Sequence, residues 1–419
     1  MMQEFEQKYG KQIPTWSGDF TPYWEDGAYS TAKEEGDVRV LSARLTNLID
    51  AAKILDKPID PHLLYRAKRS IVMWHEHTWG SWCSISDPEA HFTNDQWRVK
   101  QDFADSAGWY VEAIETGLLQ QPPMTTEIVP FSTLPWPPGP VAKARFEEAE
   151  STPPRALNAP IRSDERLSRR DSLMMPSKGI GLCKIFLSPD YSMELSSFQR
   201  AIELEPGDWG RCFESVGYLG EIQYDFQGIP NKEAQDNIEF IRRYERRTGY
   251  LHVRFRLDVP KVRDKHSVHV PLPFNIPNAT VRIGISDTCI TPESGRIPGS
   301  NNDFFCAQRW IDVSNDSMGV TIVCPQGALW EVGEMVDELK VDPGKGTNPE
   351  RYKAWKNEAH SSSTIYLYAL NNYWHTNFKA EQPGRITFDL YLKMHGPFNL
   401  EEARRFGLEM TRPLITWWK

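Results

Sequence analysis

The chain has 419 residues, with 48 Lys and Arg against 57 Asp and Glu, so its formal net charge is −9. This length is enough for two or three domains around a sizeable core. The negative charge argues against nucleic acid or an anionic membrane as a partner. The sequence holds no apolar run of about 18 residues, so no membrane span is predicted.

The first 36 residues predict an aromatic and acidic loop. Residues 1–11 are charged and lack the apolar centre of a signal peptide, so we expect a cytoplasmic protein. Residues 13–30 are rich in Pro and Gly, which favours a loop. This loop is either a sugar-contacting surface or a cover packed over helices. Its aromatic and acidic residues are Trp16, Asp19, Phe20, Tyr23, Trp24, Glu25, Asp26 and Tyr29.

Three helices are predicted over residues 37–120, and their short connections favour an antiparallel bundle. The first carries one apolar stripe at spacings of three and four. The second has an Asp-Pro pair as its cap and first turn. The predicted limits are Leu41 to Leu55, Asp60 to about Trp74, and about Asn94 to Leu118.

The end of the second predicted helix leads into residues 74–82, which read Trp-His-Glu-His-Thr-Trp-Gly-Ser-Trp. Imidazole and carboxylate groups are common zinc ligands, and tryptophans either floor a sugar pocket or fill a core. His75 and His77 would point about 200° apart on a helix, so they cannot hold one metal together from a regular helix. The zinc-protease signature has its histidines four apart. A metalloprotease is therefore disfavoured, and two alternatives stay open: a hydrogen-bonded structural histidine, or one ligand of a site completed elsewhere.

Residues 121–180 predict a proline-rich linker. Ten prolines fall between Pro122 and Pro160. Proline neither continues a helix nor donates to a sheet ladder, so this segment is interpreted as a boundary or an extended connector. The six cysteines of the chain are widely spaced without a CxxC pair, which favours free thiols over a disulfide framework.

Residues 181–419 change to a period of two. Apolar and polar residues alternate around 251–259, 281–285, 320–324, 365–369 and 386–392, and a short helix is predicted around 401–406. Many alternating segments separated by Pro, Gly and Asn are typical of an antiparallel β-sandwich. The predicted fold class is therefore α+β multidomain, a three-helix bundle followed by a large antiparallel β-sandwich.

Several blocks of this sequence, in the same order, resemble the helical and C-terminal domains of glycoside hydrolase family 38, the α-mannosidase family, in its bacterial branch. Residues 76–80, Glu-His-Thr-Trp-Gly, resemble the loop that brings a zinc-binding histidine to the active site. The resemblance covers nearly the whole chain and is strongest in combination. The other blocks are residues 18–28, 84–86, 272–277, 303–314 and 370–378.

The resemblance implies retaining hydrolysis of α-mannosides by an aspartate nucleophile and an acid/base carboxylate, with zinc binding sugar hydroxyls. It implies that His77 is a zinc ligand. Ligand histidines usually have a partner that orients the ring, and Glu76 or Asp26 is expected in that role. Trp24, Asp26 and Trp79 are expected to contact substrate, with Trp24 and Trp79 near His77, while His75 is expected to be structural because it diverges from His77. The family keeps its nucleophile and its other zinc ligands on an N-terminal barrel, and no block of this sequence matches them. We therefore expect an incomplete zinc site and little activity without such a barrel.

Three functional hypotheses follow. The first is the C-terminal portion of an α-mannosidase-type hydrolase that acts on carbohydrate, either as a truncated reading frame or as a partner for a separate barrel chain. The second is a non-catalytic carbohydrate-binding or assembly protein. The third, the weakest, is hydrolysis by the chain's own carboxylates, Asp19, Glu25, Asp26 or Glu76. Self-association is also expected, through an exposed patch of seven aromatic residues. They are Trp16, Phe20, Tyr23, Trp24, Trp74, Trp79 and Trp82.

Overall fold

The structure is a computed structural model that describes most of the helical region and much of the sheet region. The described residues are 2–14, 18–19, 25–119, 128–136, 184–187, 191–194, 213–218, 238–245, 250–259, 261, 263, 266–274, 276–297, 299–333, 356, 358–372, 377–413 and 415–418.

Five α-helices lie in the described part of the chain. They are α1 (Met2–Tyr9), α2 (Ala32–Ile54), α3 (Pro61–Trp74), α4 (His91–Leu119) and α5 (Leu400–Thr411). Two 3-10 helices, Gly10–Gln12 and Glu25–Thr31, occur in the segment predicted as an N-terminal loop. That segment is therefore partly helical, and α2 already begins within it. No helix of the described chain combines the length and apolar character that a bilayer crossing requires.

The three long helices form where the sequence predicts them. Asp60 caps α3, because its Oδ1 accepts a hydrogen bond from the His62 backbone N–H at 2.8 Å. Pro61 at the first helical position needs no hydrogen-bond donor there. Helix α4 packs against both α2 and α3. Its buried stripe runs along Ala104, Ala107, Val111, Ile114 and Leu118.

Sixteen strands are described. They are β1 (Ile128–Phe131), β2 (Lys184–Leu187), β3 (Tyr191–Glu194), β4 (Phe213–Tyr218), β5 (Ile238–Glu245), β6 (Tyr250–Val259), β7 (His266–Pro273), β8 (Thr280–Ile285), β9 (Thr288–Ile290), β10 (Phe305–Cys306), β11 (Ile311–Ser314), β12 (Gly319–Val323), β13 (Leu329–Val332), β14 (Thr364–Asn371), β15 (Gly384–His395) and β16 (Ile415–Trp418).

The strands form two large sheets, and all strand pairs described are antiparallel. One sheet has the order β10-β13-β14-β7-β2-β3, and the other has the order β4-β5-β6-β15-β12-β11-β8-β9. The pairing of β6 with β15 in the larger sheet sets Leu257 opposite Ile386 and Val253 opposite Leu390. The predicted mixture of helices with antiparallel sheets is confirmed. Both sheets and the three long helices contribute to one continuous hydrophobic core, while a separate bundle domain stays a prediction.

One strand falls inside the predicted proline-rich linker. Strand β1 pairs with β16, and Pro130 lies opposite Thr416. In a two-stranded sheet each strand has one open edge, so a strand can hold proline without losing a ladder bond. The predicted connector therefore holds one paired strand, and its neighbours 120–127 and 137–183 lie outside the described residues.

Helix α5 covers part of the larger sheet through a second hydrophobic cluster, in which Ala403 and Phe406 pack with Tyr250, Trp310 and Val323. Its first turn is capped by Asn399, whose side chain accepts from the Glu402 N–H at 3.1 Å. The helix is longer than predicted, because its apolar face continues beyond residue 406. Four described cysteines are free thiols, as predicted, namely Cys83, Cys289, Cys306 and Cys324.

Candidate functional site

The His-Glu-His stretch lies at the end of α3. Trp74 is the last residue of that helix, and the His75 N–H still donates to the Ile71 carbonyl at 3.2 Å. Residues 75–77 then bend away from the helix axis. The two histidines therefore contact different carboxylates, because the chain turns between them.

His75 points toward α2. Its Nδ1 lies 3.5 Å from Glu35 Oε2, the same oxygen that accepts a hydrogen bond from Trp74 Nε1 at 2.9 Å. Burial raises the pKa of Glu35, but His75, Arg39 and Trp74 outweigh it, so this pKa lies below the ordinary value. His75 thus belongs to the packing between α2 and α3, as its divergence from His77 predicts.

His77 is the more exposed histidine of the stretch, with 70% of its side chain accessible against 38% for His75. Its Nδ1 lies 2.5 Å from Glu76 Oε1. Glu76 also accepts hydrogen bonds from the N–H and hydroxyl of Thr78, at 3.2 and 3.3 Å. Burial raises the pKa of Glu76, but Lys100, Thr78 and His77 outweigh it and lower this pKa overall. The result is an ionised carboxylate that orients an imidazole at the surface.

Lys100 of α4 lies beneath this loop, with 7% of its side chain exposed. Its ammonium donates to the Met73 carbonyl at 3.0 Å and to the Glu76 carbonyl at 2.7 Å. It also lies 3.6 Å from Glu76 Oε2 and 4.7 Å from the Trp79 ring centroid. Burial lowers the pKa of Lys100 to about 8, although Glu76 and Glu35 act in the opposite direction. A cation at this place satisfies the carbonyl groups at the end of α3.

Trp79 lies in the core rather than on the surface. Its ring stacks on Phe378 at 5.6 Å between centroids and meets Trp74 edge-on at 6.4 Å. The N–H groups of Trp79 and Gly80 both donate to the Asn377 carbonyl at 2.7 Å. A Cβ at Gly80 would lie 2.8 Å from the Phe378 backbone. The structure therefore gives Trp79 the role of fastening the His77 loop to the sheet region.

Asp26, the second predicted substrate contact, is fully buried in the 3-10 helix Glu25–Thr31. Its backbone carbonyl accepts a hydrogen bond from Asn371 Nδ2 at 2.7 Å. This places Asp26 against β14, away from solvent. Trp24, the third predicted contact, lies outside the described residues, as does its expected approach to His77.

The predicted exposed patch of seven aromatics is wrong for two of its members. Trp74 and Trp79 pack inward, because Glu35 and Phe378 provide partners for their rings. Trp82, by contrast, is 69% exposed. The remaining four, Trp16, Phe20, Tyr23 and Trp24, are not among the described residues.

The residues present do not fit a zinc centre on their own. Across the described ranges, no group of three or more His, Cys, Asp or Glu side chains could hold a metal ion. His77 and Glu76 offer one imidazole and one carboxylate, whereas protein zinc sites use three or four protein ligands. No chemical step is therefore assigned to zinc here.

Lys100 belongs to this site but was not predicted from the sequence. The sequence signal that could have found Lys100 is its spacing: it lies four and seven residues before Ala104 and Ala107, on the buried stripe of α4. A lysine on an apolar stripe needs acceptors for its ammonium, because an unpaired buried charge is costly. Here the end of α3 provides those acceptors.

Comparison with solved structures identifies the fold. A protein of glycosyl hydrolase family 38 from Enterococcus faecalis matches 99% of this chain with a TM-score of 0.50 and 11% identity. Over the matched part, this chain shares the fold of that family 38 protein. The predicted family likeness is thus confirmed as a likeness of fold. This chain spans 62% of the length of that family 38 protein.

A second match to the same family is partial. An α-mannosidase from Enterococcus faecalis V583 covers 43% of this chain, with 16% identity and a TM-score of 0.31, and this chain covers 18% of it. No family model matches the sequence, and no curated protein matches it.

Proposed function

We propose that this chain is the helical and β-sandwich part of an α-mannosidase-type glycoside hydrolase, and that it presents His77 to a sugar site completed by further protein. The single observation that carries the proposal is the exposed, oriented His77 imidazole on a loop held by two regions of the fold. The family 38 fold supports a carbohydrate substrate class.

The chemistry assigned to His77 follows from its partner. Glu76 Oε1 lies 2.5 Å from Nδ1, and a carboxylate acceptor there favours the tautomer with the proton on Nδ1 and the lone pair on Nε2. That lone pair can accept a hydrogen bond from a sugar hydroxyl. Because the ring is oriented before substrate arrives, less conformational entropy is lost on binding. His77 therefore acts by binding and orienting a sugar, and the carboxylates that break the glycosidic bond belong to the additional protein.

The first test measures the binding of methyl α-mannoside directly, by calorimetry or by NMR titration. We expect His77→Ala to weaken binding by about tenfold, since a lost hydrogen bond corresponds to about 1–1.5 kcal/mol. The matched control is His62→Ala, an exposed histidine at the other end of α3, which should leave binding unchanged. Absence of mannoside binding, or equal binding by wild type and His77→Ala, would count against the proposal.

The second test separates a catalytic from a non-catalytic protein. The chain alone should turn over an aryl α-mannoside far below the common enzyme range of about 1 per second. Addition of the separately expressed N-terminal portion of the family 38 match should restore turnover. Binding without turnover in both states would instead favour a non-catalytic carbohydrate-binding protein.

A further inference from the structure

Lys100 connects the two helices that flank the His77 loop. Helix α3 ends at Trp74, so the carbonyls of Met73 and Glu76 lie at its last turn and just beyond it. The Lys100 ammonium, projecting from α4, donates to both of them. The Lys100 side chain thus connects the C-terminal end of α3 to the side of α4.

The same ammonium also fixes the Glu76 side chain. Its Nζ lies 3.6 Å from Glu76 Oε2, while Glu76 Oε1 lies 2.5 Å from His77 Nδ1. The carboxylate therefore has the cation on one oxygen and the imidazole on the other. Lys100 is enclosed and His77 is exposed, so this series of contacts leads from the interior of the protein to its surface.

The aromatic rings around Lys100 restrict its position. Its Nζ lies 4.7 Å from the Trp79 centroid and 5.8 Å from the Trp74 centroid. Cation–π attraction is strongest when the cation is desolvated. Trp79 is held in turn by Phe378 and by the Asn377 carbonyl. The ammonium therefore has a defined place that depends on packing on both sides of the loop.

We propose that Lys100 is the positioning residue for His77: it holds the Glu76 carboxylate where that group keeps the imidazole proton on Nδ1. The inference rests on the proposed function, because it assumes that His77 is the functional group of the loop. Its physical content concerns which ring nitrogen carries the proton, and this can be measured without substrate or turnover.

The experiment is NMR of protein labelled with ¹⁵N-histidine, in which the imidazole nitrogens of His77 are assigned with His77→Gln. In wild type we expect Nδ1 to be protonated. In Lys100→Met we expect this Nδ1–H signature to be lost, because Glu76 loses its ammonium partner and keeps only its hydrogen bonds from Thr78, and the end of α3 loses its cap. Lys100→Arg keeps a cation that donates to carbonyls, so it should restore the signature.

A control separates positioning from general stability. Val111→Ala removes two methyl groups from a fully buried position on the same helix, away from the loop. It should lower the unfolding midpoint and leave the His77 nitrogen signals unchanged. If Lys100→Met does not fold, Lys100→Gln replaces it, because a neutral amide can still donate to an α3 carbonyl, and the same loss of signature is expected.

Three results would overturn the proposal. They are a wild-type His77 protonated on Nε2 alone, an unchanged Nδ1–H signature in the neutral Lys100 variants, and an unchanged signature in Glu76→Ala, which removes the acceptor. None of them depends on mannoside binding. Failure of the proposed function would appear in the binding titration alone, so the two failures are distinguishable.

Discussion

Two histidine–carboxylate pairs of similar length lie in opposite settings in this protein. His395 Nε2 is 2.7 Å from Asp312 Oδ2, and His77 Nδ1 is 2.5 Å from Glu76 Oε1. The first pair lies in the larger sheet, with its side chains 12% and 0% exposed. The second lies at the end of α3, with side chains 70% and 41% exposed.

The buried pair joins several elements. Asp312 of β11 also accepts hydrogen bonds from the hydroxyls of Ser314 and Thr321, at 2.5 and 2.6 Å. The second ring nitrogen of His395 lies 2.8 Å from the Gly396 carbonyl. The group therefore ties β11, β12 and β15 together below the start of α5.

The exposed pair, by contrast, spans two adjacent residues on one loop, so it contributes little to holding strands or helices together. Exposed ion pairs contribute about 0–1 kcal/mol to the free energy of unfolding, whereas breaking a buried pair costs several. The difference teaches that the same chemistry stabilises the fold in one place and, in the other, leaves an oriented imidazole at the surface, where we propose that it binds a sugar.

The largest expected effect comes from Asp312→Ala. This change leaves the His395 imidazole and two buried hydroxyls without their acceptor, so we expect the free energy of unfolding to fall by about 3–5 kcal/mol. Urea unfolding measures the loss. The matched control is Asp287→Ala, which removes an exposed carboxylate paired with Arg404 and should cost at most about 1 kcal/mol. Similar losses of stability in both variants would contradict the expected difference between the buried and the exposed carboxylate.

A smaller effect is expected from pH. Burial lowers the pKa of His395, but Asp312 and the Gly396 carbonyl outweigh it, and this pKa lies above the ordinary value. The folded state therefore binds the proton more tightly than the unfolded state. The stabilisation is complete below the unfolded pKa of about 6.5 and is lost as pH rises through the folded pKa.

Urea unfolding across this pH range measures that linkage. Wild type should lose stability as pH increases, and His395→Gln should lose less over the same interval. Glu402 also acts on this imidazole, so Glu402→Gln is the second variant to compare. Parallel pH profiles of wild type and His395→Gln would show that another group is responsible.

The smallest effect is expected from His77→Ala. Its ring is exposed and its partner is a surface carboxylate, so the free energy of unfolding should change by no more than about 0.5 kcal/mol. His395→Ala, measured beside it, should cost clearly more. A large loss of stability in His77→Ala would show that this ring supports the fold, and would weaken its assignment to binding.

Sequence patterns predicted the elements well where the pattern is local. Asp60-Pro61 predicts the start of α3, because an acidic cap and a proline need only their neighbours in the chain. The alternation around residues 386–392 predicts β15 for the same reason. The strand at 128–131 was not predicted, because its partner, residues 415–418, lies almost 300 positions later in the chain. The proline within the strand also argued against a strand assignment.

The candidate site was predictable only in part. The stretch at residues 74–82 indicated a loop at a helix end, and the structure places His77 and Glu76 there. The burial of Trp79 was not predictable, because Phe378, its stacking partner, comes from the distant connection between β14 and β15. The role of Lys100 was missed for the same reason, since its acceptors belong to another helix.

By itself, the sequence determined the helical region, the antiparallel sheet region and the position of an imidazole beside a carboxylate. These features depend on periodicity and on neighbouring residues, which the chain carries locally. Only the tertiary structure decided which histidine is more exposed, which tryptophans pack inward and which carboxylate meets His395 across 83 positions. Such outcomes depend on packing between distant segments, because burial and ion pairing arise only when those segments meet.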